Sequence, residues 1–471
     1  MSKTLFIQQL SYDYLGTMIM TAYLKEHGHE ANIYISTSSK KILERIKTLS
    51  PSIIGFSVMT GGQDWVHAQA KLIKKHFPQV HIVVGGAHAT FFPEDLLSNE
   101  AIDSVCIGEG EGAILDLANA IDQGRPIKGI QNLSLKIDGV IFKAPLRPLI
   151  TDLDTLPFPD RSHYEEYPLL RNSPWKSINS GRGCPYQCSF CFNESYNKLY
   201  GAQGKTLIRK RSPGNICEEI IAIQNKWPLK EVHFWDDAFN ADKAWLKSFC
   251  QEYPKLSKVP FRGDLRIDIT SEEEIHALKL AGCKTVMFGL ESGSEELRCK
   301  VLGKPIRDEV IIEGASLLKK YHIPFGTFNI LGFPGEALED ALKTIELNQR
   351  IQTDYPWCSI AQPYPNTRLY ELSKSQRLLS SQADFPVSFF NKSVLKQKDI
   401  RQVERLQKVF YFCAKSKLAY SILKPLVKIP FSPLYFLLFG FSQVLRHKKI
   451  YSMSYVEVLK FCLGMVRSYF R

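Results

Sequence analysis

The sequence is short of long apolar runs. Its most apolar stretch, IPFSPLYFLLFGFSQVL near the C-terminus, is broken by two prolines, a glycine and two serines. It falls short of the roughly 20 apolar residues that a spanning helix needs, so a transmembrane segment is not expected. MSKTLFIQQL leads straight into a strand-like run without an apolar core and cleavage site, and no signal peptide is expected either. The eleven cysteines follow no disulfide framework, which points to a reducing compartment and hence the cytoplasm. No recognisable RNA module occurs, so nucleic acid is not expected as a partner although the net charge is +12.

That charge is unevenly spread. Residues 391–471 hold sixteen Lys and Arg against Asp399, Glu404 and Glu457, which leaves the first 390 residues close to neutral. Overall content, 44% hydrophobic and 23% charged, is that of a globular chain with a sizeable core, and 471 residues leave room for about three domains.

From the N-terminus, strand-like runs (TLFIQQL, ANIYIS, SIIGFSV, HIVVGG, SVCIGEG) alternate with helical ones (MIMTAYLKEHG, KKILERIKTL, DWVHAQAKLIKKHF, FPEDLLSN, EGAILDLANAI). This alternation predicts an α/β fold, a doubly wound parallel sheet over residues 1–125. Ligands on such sheets lie at the carboxyl ends of the strands, where Gly16, Gly61, Gly62, Gly85, Gly86, Gly108 and Gly110 fall. Residues 126–172 read as a proline-dense connector with a hairpin strand at GVIFKAP. Residues 381–471 read as a mostly helical basic region. Its apolar centre with basic flanks suits either a helical cap packed over the mouth of the preceding domain, with a solvated basic face, or a surface lying on anionic lipid.

The densest chemistry lies between Ser180 and Glu194, SGRGCPYQCSFCFNE, where Cys184, Cys188 and Cys191 form a CxxxCxxC array. Three thiols in eight residues cannot share one face of a helix or strand, and a loop around a metal centre satisfies the spacing. The loop lacks the fourth cysteine or histidine that a closed zinc or ferredoxin site requires. Three ligands on a 4Fe–4S cluster leave one iron open.

This triad, with Phe190 just before the third cysteine, resembles the signature of the radical S-adenosylmethionine (radical SAM) superfamily. The resemblance implies that the open iron chelates SAM and that reduction of the cluster yields a 5′-deoxyadenosyl radical. It continues along residues 173–380 as six ordered strand-and-loop strings, implying a partial (βα)6 barrel. WKSINSG leads into the cysteine loop, and EVHFWDDAFN ends in Asp236 and Asp237, which can bind a cation, cap a helix or orient the SAM ammonium. FRGDLRIDI is expected to be one continuous strand with Arg266 and Asp268 on one face. There Arg266 either holds the SAM carboxylate or pairs with Asp268. TVMFGLESGS carries Glu291 and Ser292 at the ribose position, and FGTFNILGFPGE places Ile330 and Gly332 beside adenine. In WCSIAQPYPNTRLY, Asn366 replaces the family's glycine in the turn, a residue that tolerates positive φ.

Residues 3–122 resemble the cobalamin (B12)-binding domain that precedes many radical SAM barrels. That resemblance implies a Rossmann-like cobalamin site near Tyr14, Gly16, Ser57, Gly86, His88, Gly108 and Glu109. His88 reads equally well as a turn histidine. The DxHxxG string that supplies a cobalt ligand elsewhere is missing, and His67, in a probable helix, does not replace it.

Together these imply a cobalamin-dependent radical SAM enzyme with a 4Fe–4S cluster, SAM and cobalamin as cofactors. The expected reaction is methylation of an unactivated carbon in a small-molecule or lipid-like substrate, with an electron donor such as a flavodoxin or ferredoxin. Cyclisation or ring rearrangement is the alternative, and a non-catalytic cobalamin-binding sensor a further one. The GFPGE string also suggests a tRNA methylthiotransferase, but those proteins carry three further cluster cysteines where this chain has only Cys106. Residues 391–471 offer contact with a membrane surface, which would make the cytoplasmic protein peripheral on the inner face.

Overall fold

The structure is a computed structural model and describes residues 1–201, 207–379, 385–386, 388–390 and 392–450, with Tyr455 and Val458. It divides into two compact units, Met1–Ser173 and a second that begins at Pro174.

The first unit is built on a seven-stranded sheet: β1 (Lys3–Gln8), β2 (Glu30–Ile35), β3 (Ile53–Ser57), β4 (His81–Gly85), β5 (Ser104–Cys106), β6 (Leu133–Ile137) and β7 (Val140–Lys143). The spatial order is β2-β1-β3-β4-β5-β6-β7. The first five strands are parallel. Helices cover both faces, so strands such as IIGFS and HIVVG bury almost every residue. Leu5, Ile54, Val84, Ala70 and Leu96 share one core cluster. The order reverses direction between β1 and β3, and at such a switch point the loops after the two strands diverge to open a crevice.

The connector does not leave the sheet where its composition suggests. β6 pairs antiparallel with β5, and β7 with β6, so residues 133–143 extend the sheet. Leu133 and Leu135 bury the inner face of this hairpin. The rest of the connector is strapped to the same unit. Tyr164 Oη donates to Asp13 Oδ1 at 2.5 Å, Ile35 N donates to Tyr167 Oη at 2.8 Å, and Lys25 pairs with Asp160 at 2.5 Å.

The second unit opens with β8 (Trp175–Ile178). A two-stranded antiparallel ladder follows, β9 (Gly181–Arg182) with β10 (Arg209–Lys210), and then β11 (Glu231–Phe234), β12 (Phe261–Leu265), β13 (Cys283–Glu291), β14 (Phe325–Leu331) and β15 (Tyr355–Ile360). The six main strands lie in chain order, β15-β14-β13-β12-β11-β8, all parallel. They curl into the half-barrel expected from the ordered strings. An aromatic wedge of Phe234, Phe239, Phe249 and Phe261 fills the space between β11, β12 and their covering helix.

One strand is shorter than its alternation predicts. β12 stops at Leu265, and residues Ile267–Ile269 form a 3-10 turn. The cause is Asn240, whose side chain accepts from Arg266 N at 2.8 Å and donates to Arg266 O at 3.0 Å. Those bonds replace the next rungs of the ladder, so the chain turns out of the sheet.

The basic region also begins as part of the barrel wall. Helix Ile400–Lys415 packs Val403, Leu406, Val409 and Phe410 onto Leu331, Leu342, Ile345 and Cys358. Gln407 Nε2 donates to Cys358 O at 2.8 Å and Gln349 Nε2 to Cys413 O at 2.7 Å. Helices Lys417–Leu426 and Ser432–Ile450 follow. Among the described residues no helix is long and apolar enough to cross a membrane.

On β11, His233 is 1% exposed, stacked 4.8 Å from Trp175, with Nε2 3.0 Å from Glu231 Oε1. Burial pushes its pKa down to about 4, against the pull of Glu231. The folded value lies below the unfolded 6.5 or so, so the unfolded chain takes up the proton first and stability falls as pH drops from about 6.5 to 4. The expected loss is about 3 kcal/mol over that window, at most about 1.4 kcal/mol per pH unit. Chemical denaturation of wild type and His233→Gln across pH 4–7 measures it: the variant's stability should be flatter with pH.

Candidate active site

The cysteine loop is fixed at its root by a buried ionic latch. Leaving β8, Ser180 donates from N to Asp236 Oδ2 at 3.1 Å and from Oγ to Asp236 Oδ1 at 2.7 Å. Lys210 on β10 donates to the same Ser180 Oγ at 3.1 Å and to Asp236 Oδ1 at 3.2 Å. Its ammonium lies 4.3 Å from the centre of the Trp245 ring. In the structure Asp236 has an internal use that the sequence did not suggest: it holds the strand end that launches the loop.

Residues at the ends of two helices, with Asn197 on the helix that follows the loop, pin the rest of it. Ser189 donates from N to Leu302 O at 2.9 Å and from Oγ to Val301 O at 2.6 Å, and Leu369 N donates to Ser189 O at 2.8 Å. Arg368 Nε donates to Glu194 at 2.6 Å, and Asn197 Nδ2 to Cys184 O at 2.9 Å. None of these bonds uses a sulfur; two others do, from Asn193 Nδ2 to Cys191 Sγ at 3.5 Å and from Arg266 Nη1 to Cys188 Sγ at 3.8 Å.

The three thiols lie within electrostatic reach of one another. Burial pushes Cys184 up to about 12 and Cys191 up to about 11, and raises Cys188 as well. Among the described residues no three His, Cys, Asp or Glu side chains converge on one ion-sized point. Three soft thiols spread around a loop, with no fourth ligand, fit a polynuclear cluster that takes one thiolate per iron.

Charged groups from the other strands surround the triad. Arg266 holds Asp268 through two bonds, 3.0 and 2.7 Å, while its Nη1 lies 3.8 Å from Cys188 Sγ and its guanidinium 3.7 Å from the centre of the Tyr186 ring. The ion pair read from the sequence is present, but the 3-10 turn brings the partners together, not strand alternation. Burial raises the Asp237 carboxyl, which in turn helps raise Cys184 and Cys191. Phe190 and Ile330 pack on a cluster formed by Leu302, Phe333, Ala361 and Leu369.

Glu291 closes β13 in the left-handed region, φ 63°, beside a break in the ladder. It is buried, and Lys304 Nζ donates to its Oε1 at 3.0 Å and to Gly289 O at 2.6 Å. Lys304 was not legible from the sequence, where a lysine between glycine and proline reads as a surface turn. Ser292, fully buried, accepts from Arg298 Nη1 at its carbonyl, 2.7 Å. At Gly293 the backbone crosses the neighbouring helix so closely that a Cβ would stand 2.2 Å from Lys343 O and 2.4 Å from Thr344 N. Only backbone could yield there. Gly293→Ala is expected to cost at least about 3 kcal/mol, read as a lowered urea midpoint.

Gly332 has φ +85°, and its N–H donates to Glu336 Oε2. The open side of this glycine faces Ile400, where a Cβ would lie 3.0 Å from Cδ1. Its small size therefore admits the barrel-wall helix. Asn366 takes φ 62° as expected.

In the first unit the residues expected around cobalamin all lie at the carboxyl ends of β1, β3, β4 and β5. Tyr14 caps helix Leu15–Glu26, its carbonyl accepting from Thr17 Oγ1 at 2.9 Å, and Gly16 opens onto free space. Ser57 lies against Gly86, which has φ +98° and passes so close to Val58 that a Cβ would meet its backbone at 2.7 Å. Gly108 N donates to Thr90 Oγ1 at 3.1 Å. Glu109 Oε2 accepts from Ile150 N at 2.9 Å, so this side chain ties down the connector.

His88 lies on the short helix Ala87–Phe91. It is 5% exposed, with Nδ1 3.1 Å from Thr60 Oγ1 and Nε2 3.0 Å from Asp95 Oδ2. His67, half-buried on its helix, places Nε2 3.5 Å from the same carboxylate. Bonds from His67 and His88 hold the Asp95 carboxyl well below the usual range. Both imidazoles are thus committed to Asp95. Gly16 leaves open space beside the strand ends, which suits a bulky group; bonded to Asp95 in this way, the two histidines offer it no cobalt ligand.

Residues 10–118 match the B12 binding domain family, and residues 178–347 the radical SAM superfamily. An uncharacterized methyltransferase of Pyrococcus horikoshii is 32% identical over 345 residues, 72% of this chain and 72% of its own length. An anaerobic magnesium-protoporphyrin IX monomethyl ester cyclase of Rubrivivax gelatinosus is 27% identical over 370 residues, 75% of this chain and 64% of its own length. A hopanoid C-3 methylase of Methylococcus capsulatus is 30% identical over 225 residues, 45% of this chain and 43% of its own length. Among solved structures, the cobalamin-dependent S-adenosylmethionine radical enzyme OxsB has the same fold, with a TM-score of 0.72, 16% identity and coverage of 98% of this chain and 78% of that one. The chain belongs to the radical SAM enzymes that carry a B12-binding domain, a family whose cofactors are cobalamin, SAM and a 4Fe–4S cluster.

Proposed function

We propose that this enzyme is a cobalamin-dependent C-methyltransferase acting on an unactivated carbon of a small-molecule or lipid-like substrate. The observation that carries this reading is the relative named as a methyltransferase, similar across both units. A relative named as a lipid methylase agrees with it. When bound, the cluster and SAM supply a hydrogen-abstracting radical, and cobalamin supplies a transferable methyl group.

The chain's own residues then have separable tasks. Cys184, Cys188 and Cys191 hold the cluster, and the Ser180–Asp236–Lys210 latch fixes the loop that carries them. Arg266 and Asp237 face the triad with opposite charges and suit the carboxylate and ammonium of SAM. Glu291 is the acceptor placed for a ribose, with Ser292 buried behind it, while Ile330 supplies an apolar surface beside Gly332. Around the second cofactor, Tyr14, Gly16, Ser57, Gly86 and Gly108 line the crevice, with Glu109 and His88 supporting its loops. A small acidic electron carrier such as a flavodoxin or ferredoxin in the cytoplasm would reduce the cluster.

The test is anaerobic reconstitution with iron, sulfide and hydroxocobalamin, followed by incubation with methyl-deuterated SAM and extracted lipid or metabolite fractions. An intact deuterated methyl group on a product carbon is the expected result. A product with a new ring and no added label favours cyclisation, the reaction named for the Rubrivivax relative. Loss of corrin on desalting would overturn the two-cofactor reading.

A further inference from the structure

The two helices at the end of the described chain present a face that the enzyme reading leaves unused. Helix Lys417–Leu426 has no buried side chain at all. Leu418 is 71% and Ile422 54% exposed, one turn apart on the same side. In helix Ser432–Ile450 the inward positions are Tyr435, Ser442 and Arg446, each under 5% exposed, and the outward ones include Leu437 at 72% and Phe441 at 54%. Phe431, at the turn between the helices, is 57% exposed. Large apolar side chains scattered singly on a surface are ordinary, but a run of them along one short segment is not.

The charge around this face has one sign. Between Glu404 and Glu457 there is no acidic residue, while nine Lys and Arg occur. Lys417, Lys424 and Lys428 are exposed beside the apolar positions. A second copy of the chain would bring like charges together on this face. An anionic surface complements it, and exposed apolar side chains require an occupant with an apolar layer beneath that charge. A bilayer of anionic lipid has both. Spanning is excluded for the described helices by their length and polarity, and Pro433, Gly440, Gln443, His447, Lys448 and Lys449 in the longer one suit a segment lying in the headgroup layer.

We propose that residues 417–441 form a docking surface for an anionic lipid bilayer, inserting Leu418, Ile422, Phe431, Leu437 and Phe441 while Lys417, Lys424 and Lys428 face the headgroups. This stands on the exposed face and its charge and does not rest on the methyltransferase reading.

Flotation of the purified full chain with vesicles tests it, using phosphatidylcholine alone and phosphatidylcholine mixed equally with phosphatidylglycerol. Binding should favour the anionic vesicles by about tenfold and weaken several-fold at high salt. An Ile422→Gln/Leu437→Gln variant should lose about tenfold in vesicle binding with unchanged 5′-deoxyadenosine formation and unchanged thermal unfolding. A Lys417→Gln/Lys424→Gln/Lys428→Gln variant should lose the preference for anionic over neutral vesicles. Two results would overturn the proposal. One is no association with either vesicle by a wild-type chain that sediments as a monomer. The other is a wild-type dimer that the apolar variant converts to monomer, which would give the face to a second copy.

Discussion

Cys188→Ala is expected to reduce 5′-deoxyadenosine formation to background, at least about a thousandfold, about 4 kcal/mol in barrier terms. The sulfur is one of the three proposed cluster ligands, and Arg266 Nη1 lies 3.8 Å from it. Without it a cluster keeps two protein ligands and two irons without one, so iron content and the optical and EPR signals of the reconstituted protein should fall with activity. The fold should not. Ser189, Leu369, Arg368 and Asn197 hold the loop through backbone and side-chain oxygen and nitrogen atoms, and replacing the half-buried Cys188 side chain by a methyl group leaves only a small void. Thermal unfolding should therefore move little, and corrin retention by the first unit should be unchanged. This outcome separates catalysis from simple binding: a cobalamin-binding sensor would lose nothing that matters to it. An Arg266→Gln variant is the companion measurement, with an expected loss in cluster stability of about ten- to a hundredfold, the range for groups that support metal ligands.

The parts of the site legible in the sequence are those carried by local spacing. The cysteine triad, the order of the six strand strings and the glycines at the ends of β3, β4 and β5 can be read from neighbours in the chain. What escaped is held by long-range contacts. The role of Asp236 depends on Lys210 and Ser180, which approach from two other strands. The end of β12 depends on Asn240, whose side chain captures the backbone of Arg266 and interrupts an alternation that reads FRGDLRIDI as one strand. Helix Ile400–Lys415 was grouped by its charge with the basic tail. Its buried stripe, Val403, Leu406, Val409 and Phe410, instead completes the barrel wall; Arg401 and Lys415 are exposed, and Lys408, although charged, is buried with its ammonium on Phe390 O. His88 illustrates the same limit in the first unit: only the fold brings Thr60 and Asp95 to its two nitrogens.

Lys304→Met is expected to cost about 3–5 kcal/mol of stability, because it leaves Glu291 buried without its cation. The pair lies inside the second unit with side-chain exposures of 6% and 9% and a separation of 3.0 Å. Space for the ammonium exists because residue 289 is glycine, where a Cβ would stand 2.6 Å from Nζ. Glu291→Gln removes the other charge and strands Lys304 in turn, so it should be costly too. The double variant Glu291→Gln/Lys304→Met should recover most of either loss, since no unpaired buried charge remains. Urea denaturation of the four proteins measures the coupling. If the single losses simply add in the double variant, the pair is not coupled as its geometry requires. The functional readout differs from the structural one. Lys304 and Arg266 both oppose the rise that burial imposes on the Cys188 thiol, so removing Lys304 takes positive charge away from the triad. Adding an electron to a bound cluster then becomes less favourable, and the midpoint potential in an EPR-monitored titration should fall in Lys304→Met. In the double variant Glu291 is neutral as well, so the potential should return toward that of the wild type. Recovery of both stability and potential would assign the pair two tasks at once, filling the core of the half-barrel and setting the charge that the cluster loop experiences.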